Sequence, residues 1–310
     1  MRPGCLAMLL LISTHASAGS WQWTMDNDVV LQTDGDYTNG LMVDYISERV
    51  PSWLEAEHMQ QWFKSDSRYW HWQLAQKMWT PSDLKPDSQQ AIERPYAGTL
   101  ISTITLGMAT AEIDNRLQGS IGVVGPASGA EWVQTRSHKW FGSTAPSGWD
   151  DQIENTLLLQ LQWEQNRRLW SSTGARRWHW YGHARIHGGN YRSETALAST
   201  LMWGQNGGDQ VQGSHWQQAS APPSGPWGWA VFAGIEGRYR FNDITLQGRR
   251  PDTAPDVGVE HWQSAYVIGL FGHYGAFFGH FMVVTESREY CNATEAWTQY
   301  GRLSVGFRFE

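Results

Sequence analysis

The feature that most restricts this chain is alternation with a period of two, sustained from Gly19 to the end and never giving way to a long apolar run. In the last stretch Gly301, Leu303, Val305, Phe307 and Phe309 share one face, while Arg302, Ser304 and Arg308 take the other. Leu157, Leu159, Leu161 and Trp163 likewise oppose Gln160, Gln162 and Glu164, and Trp178, Trp180, Ala184 and Ile186 oppose His179, Tyr181, His183, Arg185 and His187. About twelve such segments, separated by clusters of Gly, Asn, Asp, Pro and Ser, read as antiparallel strands. A spanning helix needs roughly 18 to 20 apolar residues, and no stretch of the mature chain approaches that, which leaves a soluble periplasmic protein or a closed barrel. Aromatic content decides between them. Twenty Trp, 11 Tyr and 10 Phe suit the aromatic girdles of a membrane barrel, whereas a soluble sandwich does not need so many long strands ending in tryptophan. The expectation is an all-β fold, a transmembrane antiparallel β-barrel of about twelve strands, with polar faces turned to the lumen and apolar faces to lipid.

The chain opens with Arg2, an apolar run from Leu6 to Ile12 and then Ala16-Ser17-Ala18, the pattern of an export signal, so residues 1–18 are expected to be removed and 19–310 to form the barrel. Cys5 goes with the signal and Cys291 is left alone, which excludes a disulfide framework and a cysteine metal site. A net charge of −7 argues against a nucleic-acid surface and is compatible with a divalent cation. With both termini periplasmic, the long connection from about Gly125 to Gln152 lies outside the cell.

That connection carries a short helix, which a plain barrel would not need. Ser128 with Glu131 reads as a capping box and Gly142 as the stop. Helical spacing places Glu131, Gln134, His138 and Phe141 on one face, so an imidazole with an ordinary pKa near ~6.5 stands beside an amide able to orient it. A solvent-exposed loop histidine is the plainer alternative. Trp149, in Gly148-Trp149-Asp150-Asp151-Gln152, is expected at the membrane interface.

Two further clusters fall at the predicted outer rim. From Asp26-Asn27-Asp28 through Thr33-Asp34-Gly35-Asp36 to Tyr37-Thr38-Asn39-Gly40 run oxygen donors of the kind hard cations take, although a polar hairpin bonding its own backbone would look the same. Strict alternation points Asp28 and Thr38 into the lumen and Asn27 outward, unless a bulge intervenes. Arg94, in Glu93-Arg94-Pro95-Tyr96-Ala97-Gly98, could hold a phosphate or carboxylate or form a rim ion pair. His179, His183 and His187 lie about 13 Å apart per step on a strand, too far to share an ion, and read as lumen lining. Ser143 could pair with His138 as a nucleophile, but nothing near it resembles a nucleophile elbow. Water activated by His138 beside a cation is the simpler chemistry.

In order, Asn27-Asp28, Tyr37-Thr38-Asn39-Gly40, Thr80-Pro81, Arg94-Pro95-Tyr96-Ala97-Gly98, Gly125-Pro126-Ala127-Ser128, Gln134-x3-His138-x3-Gly142 and Gly148-Trp149-Asp150-x-Gln152 resemble the outer-membrane lipid A 3′-O-deacylases. The resemblance implies a twelve-stranded barrel in the outer membrane, calcium as cofactor, and removal of the 3′-linked acyloxyacyl group of lipid A from lipopolysaccharide. It implies His138 as the base, with Gln134 and Asn27 in the catalytic group, Asp28 as a calcium ligand, Thr38 near the ion or the substrate, and Arg94 in contact with substrate. Where an acid is expected after the helix, Ser143-Thr144-Ala145-Pro146 stands instead, and Asp150 or Asp151 could substitute. The alternatives are an outer-membrane phospholipase with a serine nucleophile, and a non-catalytic barrel or pore, although at twelve strands the lumenal side chains could fill the interior. The oligomeric state is left open, with a monomer as the default.

Overall fold

A computed structural model describes residues 19–28, 36–54, 57–81, 94–141, 146–206, 225–252 and 256–309. Twelve antiparallel strands close into a barrel in simple up-and-down order: β1 (Gly19–Asn27), β2 (Asp36–Ser47), β3 (Ser67–Thr80), β4 (Ala97–Ala109), β5 (Ile113–Val124), β6 (Thr156–Ser171), β7 (Arg177–Gly189), β8 (Arg192–Gln205), β9 (Trp227–Asp243), β10 (Trp262–Tyr274), β11 (Phe277–Ser287) and β12 (Trp297–Phe309). Closure is made by β1 against β12, with Gly19 opposite Phe309 and Asn27 opposite Gly301. Every strand thereby has two hydrogen-bonded neighbours, which removes the free edges a bilayer would not tolerate.

Alternation sorts the side chains as expected. Ser20, Gln22, Thr24 and Asp26 of β1 are buried in the lumen, whereas Trp23 and Met25 are exposed on the outside. Aromatic pairs gather at both ends of the wall: Trp21 with Tyr45 and Tyr45 with Trp70 on the side of the termini, Tyr239 with Trp262 and Tyr266 with Trp297 on the other. These are the girdles of a barrel seated in a bilayer.

The lumen is filled by charged side chains in mutual contact. Arg185 bonds Glu194 and both oxygens of Glu236, Arg238 bonds Glu286, Arg240 bonds Glu194, Asp243 and Glu289, and Arg302 grips both oxygens of Asp26 at 2.6 and 2.7 Å. Arg116, Asp114 and Tyr69 form a separate layer nearer the termini. Buried ions persist only when paired and hydrogen-bonded, and here nearly every guanidinium has a carboxylate. A lumenal cavity of about 170 Å³ lies within this packing, and Tyr37, Lys77, Trp79, Gln160, His187 and Arg192 are among its lining residues. The histidines of β7 serve the same filling. His179 meets Ser171, His183 meets Asn166 and Thr200, and His187 lies 3.8 Å from Glu194, so each has its own neighbours.

Among the described residues three α-helices interrupt the β architecture. Helix α1 (Glu57–Phe63) lies in the connection from β2 to β3, α2 (Ala130–Phe141) between β5 and β6, and α3 (Ile244–Gln247) after β9. Asp243 caps α3, accepting from the Thr245 backbone N–H at 2.9 Å. The connections holding α3 and Glu289 meet over the outer mouth, where Leu246, Val257, Val259 and Tyr290 form a small apolar cluster.

Candidate active site

Helix α2 does not cover the lumen. It is seated on the outward, lipid-side face of the wall, and local chemistry fixes it there. After Gly125, whose φ of 106° suits glycine, a 3₁₀ turn at Pro126–Ser128 and a left-handed Gly129 (φ 70°) swing the chain over the ends of β3 and β4. Gln76 of β3 donates to the Ser128 carbonyl at 2.7 Å. Beneath the helix start is Gly98 of β4, where an added Cβ would lie 2.3 Å from the Ala130 Cβ and 2.4 Å from the Ser128 hydroxyl. Met78, Tyr96, Ala130 and Trp149 then bury one another, with Val133 against them. Met78 alternates with the lumenal residues Lys77 and Trp79, so this cluster stands outside the wall.

Several sequence expectations change here. The helix begins at Ala130, and Ser128 accepts from the Ala130 N–H at 3.3 Å, so the capping box gives way to Gly129 as the first turn's acceptor from Val133. Glu131 is exposed and leaves the face it was expected to share with Gln134, which is buried. Trp149 is not an interfacial residue. It is 4% exposed, stacks edge-on against Tyr96 at 5.1 Å, and donates its indole N–H to the Gln134 side-chain oxygen at 2.7 Å. The residues of α2 that reach outward are Trp132 and Trp140, 64% and 89% exposed, with Arg136 over the Trp132 ring.

Gln134 is thus held by Trp149 through its oxygen, and its amide nitrogen is buried with no acceptor among the described residues. His138 follows one helical turn later on the same side and is half-buried. Gly142 and Ser143 lie outside the described residues.

The oxygen cluster lies on the other side of β3, at the outer ends of β1 and β2. Asp28 is buried just past β1, and its backbone N–H reaches the Thr38 carbonyl at 3.4 Å. Asn27 ends β1 opposite Asn39 and is half-buried. A bulge in β2 between Tyr37 and Asn39 overturns strict alternation at Thr38. Tyr37 takes the lumenal direction and donates to Asp26 at 2.6 Å, while the Thr38 hydroxyl lies 2.7 Å from that of Thr80. Thr80 alternates with lumenal Trp79 and is two residues on from Met78, so Thr38 belongs with the outward corner beside the α2 seat.

Asp28, Asn27 and Thr38 offer carboxylate, amide and hydroxyl oxygens, the donor types a hard cation takes. Among the described residues no group of three His, Cys, Asp or Glu side chains could hold a metal ion, so a cation here would depend on amide, hydroxyl and carbonyl oxygens around one carboxylate. Such an all-oxygen set would suit a hard cation rather than a soft one. Asp150 and Asp151 are exposed, and Thr33, Asp34 and Gly35 lie outside the described residues.

Arg94 is corrected by the structure as a surface for substrate. It is completely buried, donating to Glu289 at 2.6 Å and to the Thr245 hydroxyl at 3.0 Å with the Trp79 ring beside it. Its place is the ion pair that ties the fourth strand's entry to the mouth connections. Burial alone would raise the Glu289 carboxyl, but Arg192, Arg94 and Arg240 outweigh it and hold the group well below the usual carboxylate range. Lys77 lies on the lumenal face, as alternation with Trp79 dictates, with its ammonium 5.9 Å from the Tyr37 ring centre and no ion-pair partner among the described residues.

With this geometry in place, the comparisons with known proteins are informative. The family model described as outer membrane protein LpxR matches residues 4–309. The chain belongs to that family. It is therefore an outer-membrane protein and a hydrolase of the lipid A deacylase class, as the ordered motifs implied. Among solved structures, LpxR from Salmonella typhimurium aligns with a TM-score of 0.80 at 21% identity, covering 94% of this chain and 100% of that one. At that identity the match speaks for the fold, the closed twelve-stranded barrel. An outer-membrane channel from Pseudomonas putida F1 reaches a TM-score of 0.45 at 10% identity with 100% of both chains covered. No curated protein matches.

Proposed function

We propose that this barrel hydrolyses the ester carrying the 3′-linked acyloxyacyl group of lipid A, with His138 as the base that takes a proton from water. The observation that carries this reading is the seat of α2 on the outward face of the wall, over the same end of β3 at which Thr80 meets the Thr38 hydroxyl. Lipid A presents its ester carbonyls near the headgroup boundary of the outer leaflet, at the level of this rim.

Each residue has a distinct part. Trp149 holds Gln134, and Gln134 keeps its buried amide N–H free for a substrate oxygen, a contact that orients the ester beside His138. His138 can accept a proton from water through an imidazole nitrogen and return it to the departing alcohol. Asp28, Asn27 and Thr38 would hold a calcium ion, which when bound polarises the ester carbonyl and offsets developing negative charge. The filled lumen counts against the pore reading, because the described interior is occupied by paired Arg, Glu and Asp side chains.

The test is mass spectrometry of lipid A from cells producing the wild type, His138→Ala or Asp28→Ala, repeated on detergent-solubilised protein in calcium and in chelator. Loss of one acyloxyacyl mass with wild type in calcium, and none with either variant while heat-modifiable gel mobility persists, is the expected outcome. Full activity in His138→Ala would remove the assignment of the base.

A further inference from the structure

On the lipid-facing wall beside the α2 seat is a trough of about 490 Å³, formed across β4, β5, β6 and β7 by Ser102, Ile104, Gly119, Ile121, Leu159, Leu161 and Gly188. Its cause is a shortage of side chain in one row. Ile104 pairs with Gly119, Gly119 with Leu161 and Leu161 with Gly188, so two of the four outward positions in that row carry no side chain at all. The row nearer the rim, Ser102 beside Ile121 and Leu159, supplies one small residue and two large ones. Leu161, Leu159 and Ile121 are 69%, 54% and 55% exposed, so the walls of the trough are apolar and open.

The occupant follows from position. Gly119 lies five residues below Val124, the last residue of β5, which is about 16 Å along a strand and about 12 Å in depth at the tilt of a membrane barrel. That is the outer half of a hydrocarbon core roughly 30 Å thick. Only acyl chains of outer-leaflet lipid reach it. Along β4 the trough lies on the same outward face as the α2 seat, since Gly98, under the start of α2, alternates in step with Ser102 and Ile104. Laterally, the β5–β6 centre of the trough stands two to three strand spacings, about 10 to 14 Å, from β3. A lipid with several acyl chains on one disaccharide spans that distance, whereas the chain being cleaved must stay at the corner.

We propose that this trough seats a retained acyl chain of the lipid A substrate and sets which acylation patterns the enzyme accepts. The inference rests on the deacylase reading above. Because surrounding lipid is as apolar as the trough, the selectivity comes from shape, with the two glycines making room for a chain that a smooth wall would not hold.

Gly119→Leu and Gly188→Leu fill the trough without strain, since a Cβ at Gly119 meets nothing nearer than Leu161 Cδ2 at 4.0 Å and one at Gly188 meets nothing within 4 Å. The double variant and the wild type are compared in two arms: native mass spectrometry of purified lipid A bound in detergent with chelator, and fatty-acid release in calcium. The expected result is binding at least tenfold weaker in the folded variant, with KM raised by the same factor, kcat unchanged, and the difference abolished for lipid A trimmed of its non-scissile chains. Equal binding and equal KM would overturn the proposal. So would a wild-type preference in the binding arm for phosphatidylethanolamine over lipid A. A wild type that released no fatty acid would remove the deacylase reading, and binding of lipid A would still decide the trough.

Discussion

Gly98→Ala is the smallest change that should uncouple α2, and with it the proposed base, from the barrel. The added methyl would stand 2.3 Å from the Ala130 Cβ, whereas carbon atoms pack at about 3.5 to 4.0 Å, so wall and helix must part by about 1.2 to 1.7 Å. The Ser128 hydroxyl at 2.4 Å can rotate aside, but the Ala130 methyl has no torsion that removes it. His138 and Gln134 ride on α2, while Asp28 and Thr38 belong to the wall, so the parting opens the site between its two halves. A displacement of about 1 Å costs on the order of 10²-fold in rate, or about 2.7 kcal/mol of barrier. Fatty-acid release from lipid A should therefore fall about a hundredfold with heat-modifiable mobility retained. Adding Ala130→Gly removes the opposing methyl and should restore at least tenfold, a coupling a double-mutant cycle isolates. A folded Gly98→Ala protein working within threefold of wild type would refute the idea that this seat positions the base.

Trp149→Phe keeps the ring against Tyr96 but takes away the donor to Gln134, leaving a buried oxygen unmet at about 1 to 3 kcal/mol; kcat should fall and the urea midpoint should drop with it, while the barrel still shows heat-modifiable mobility. Glu289→Gln removes the carboxylate shared by Arg94, Arg192 and Arg240 and should destabilise the mouth by about 3 to 5 kcal/mol, read as a lowered temperature for loss of the heat-modifiable form. Because the Glu289 carboxyl is held below its unfolded value of ~4.3, its stabilisation is complete above that pH and lost as pH falls toward the folded value. Wild-type stability should thus drop below about pH 4, a component that Glu289→Gln should lack in the same melting series.

Alternation made most of the wall legible, because period two is a property of neighbouring residues: Asp26 inward and Met25 outward follow from counting alone. What counting could not reach were the places where one residue or one distant contact changes the answer. The bulge at Thr38 reverses its face, and no local composition announces an extra residue between Tyr37 and Asn39. Trp149 looked interfacial because tryptophan at a strand end usually is; its burial depends on Gln134, fifteen positions away on a helix whose docking only the tertiary structure reveals. Arg94 was ambiguous for a similar reason, since its carboxylate, Glu289, lies 195 residues further along the chain. The helix carrying His138 was visible, as an insert a barrel does not otherwise need, but the side of the wall on which that helix stands was not.

That side matters to the chemistry. A lumen packed with Arg185, Glu194, Glu236, Arg238, Arg240 and Glu289 offers no apolar space for fatty chains, and opening it would strand buried charges. A substrate that stays in the leaflet must instead be met from the lipid face, where the wall is apolar and needs no desolvation of ions. Polar groups can survive there only near the headgroup boundary and only if a local element shields and orients them. Helix α2 does both: Met78, Tyr96 and Trp149 exclude lipid from the Gln134 side, while Trp132 and Trp140 project from the other side as the amphipathic rings that settle at a bilayer interface. The charged lumen and the outward helix are then parts of one arrangement, in which the interior makes the barrel rigid and the proposed reaction belongs to its outer wall.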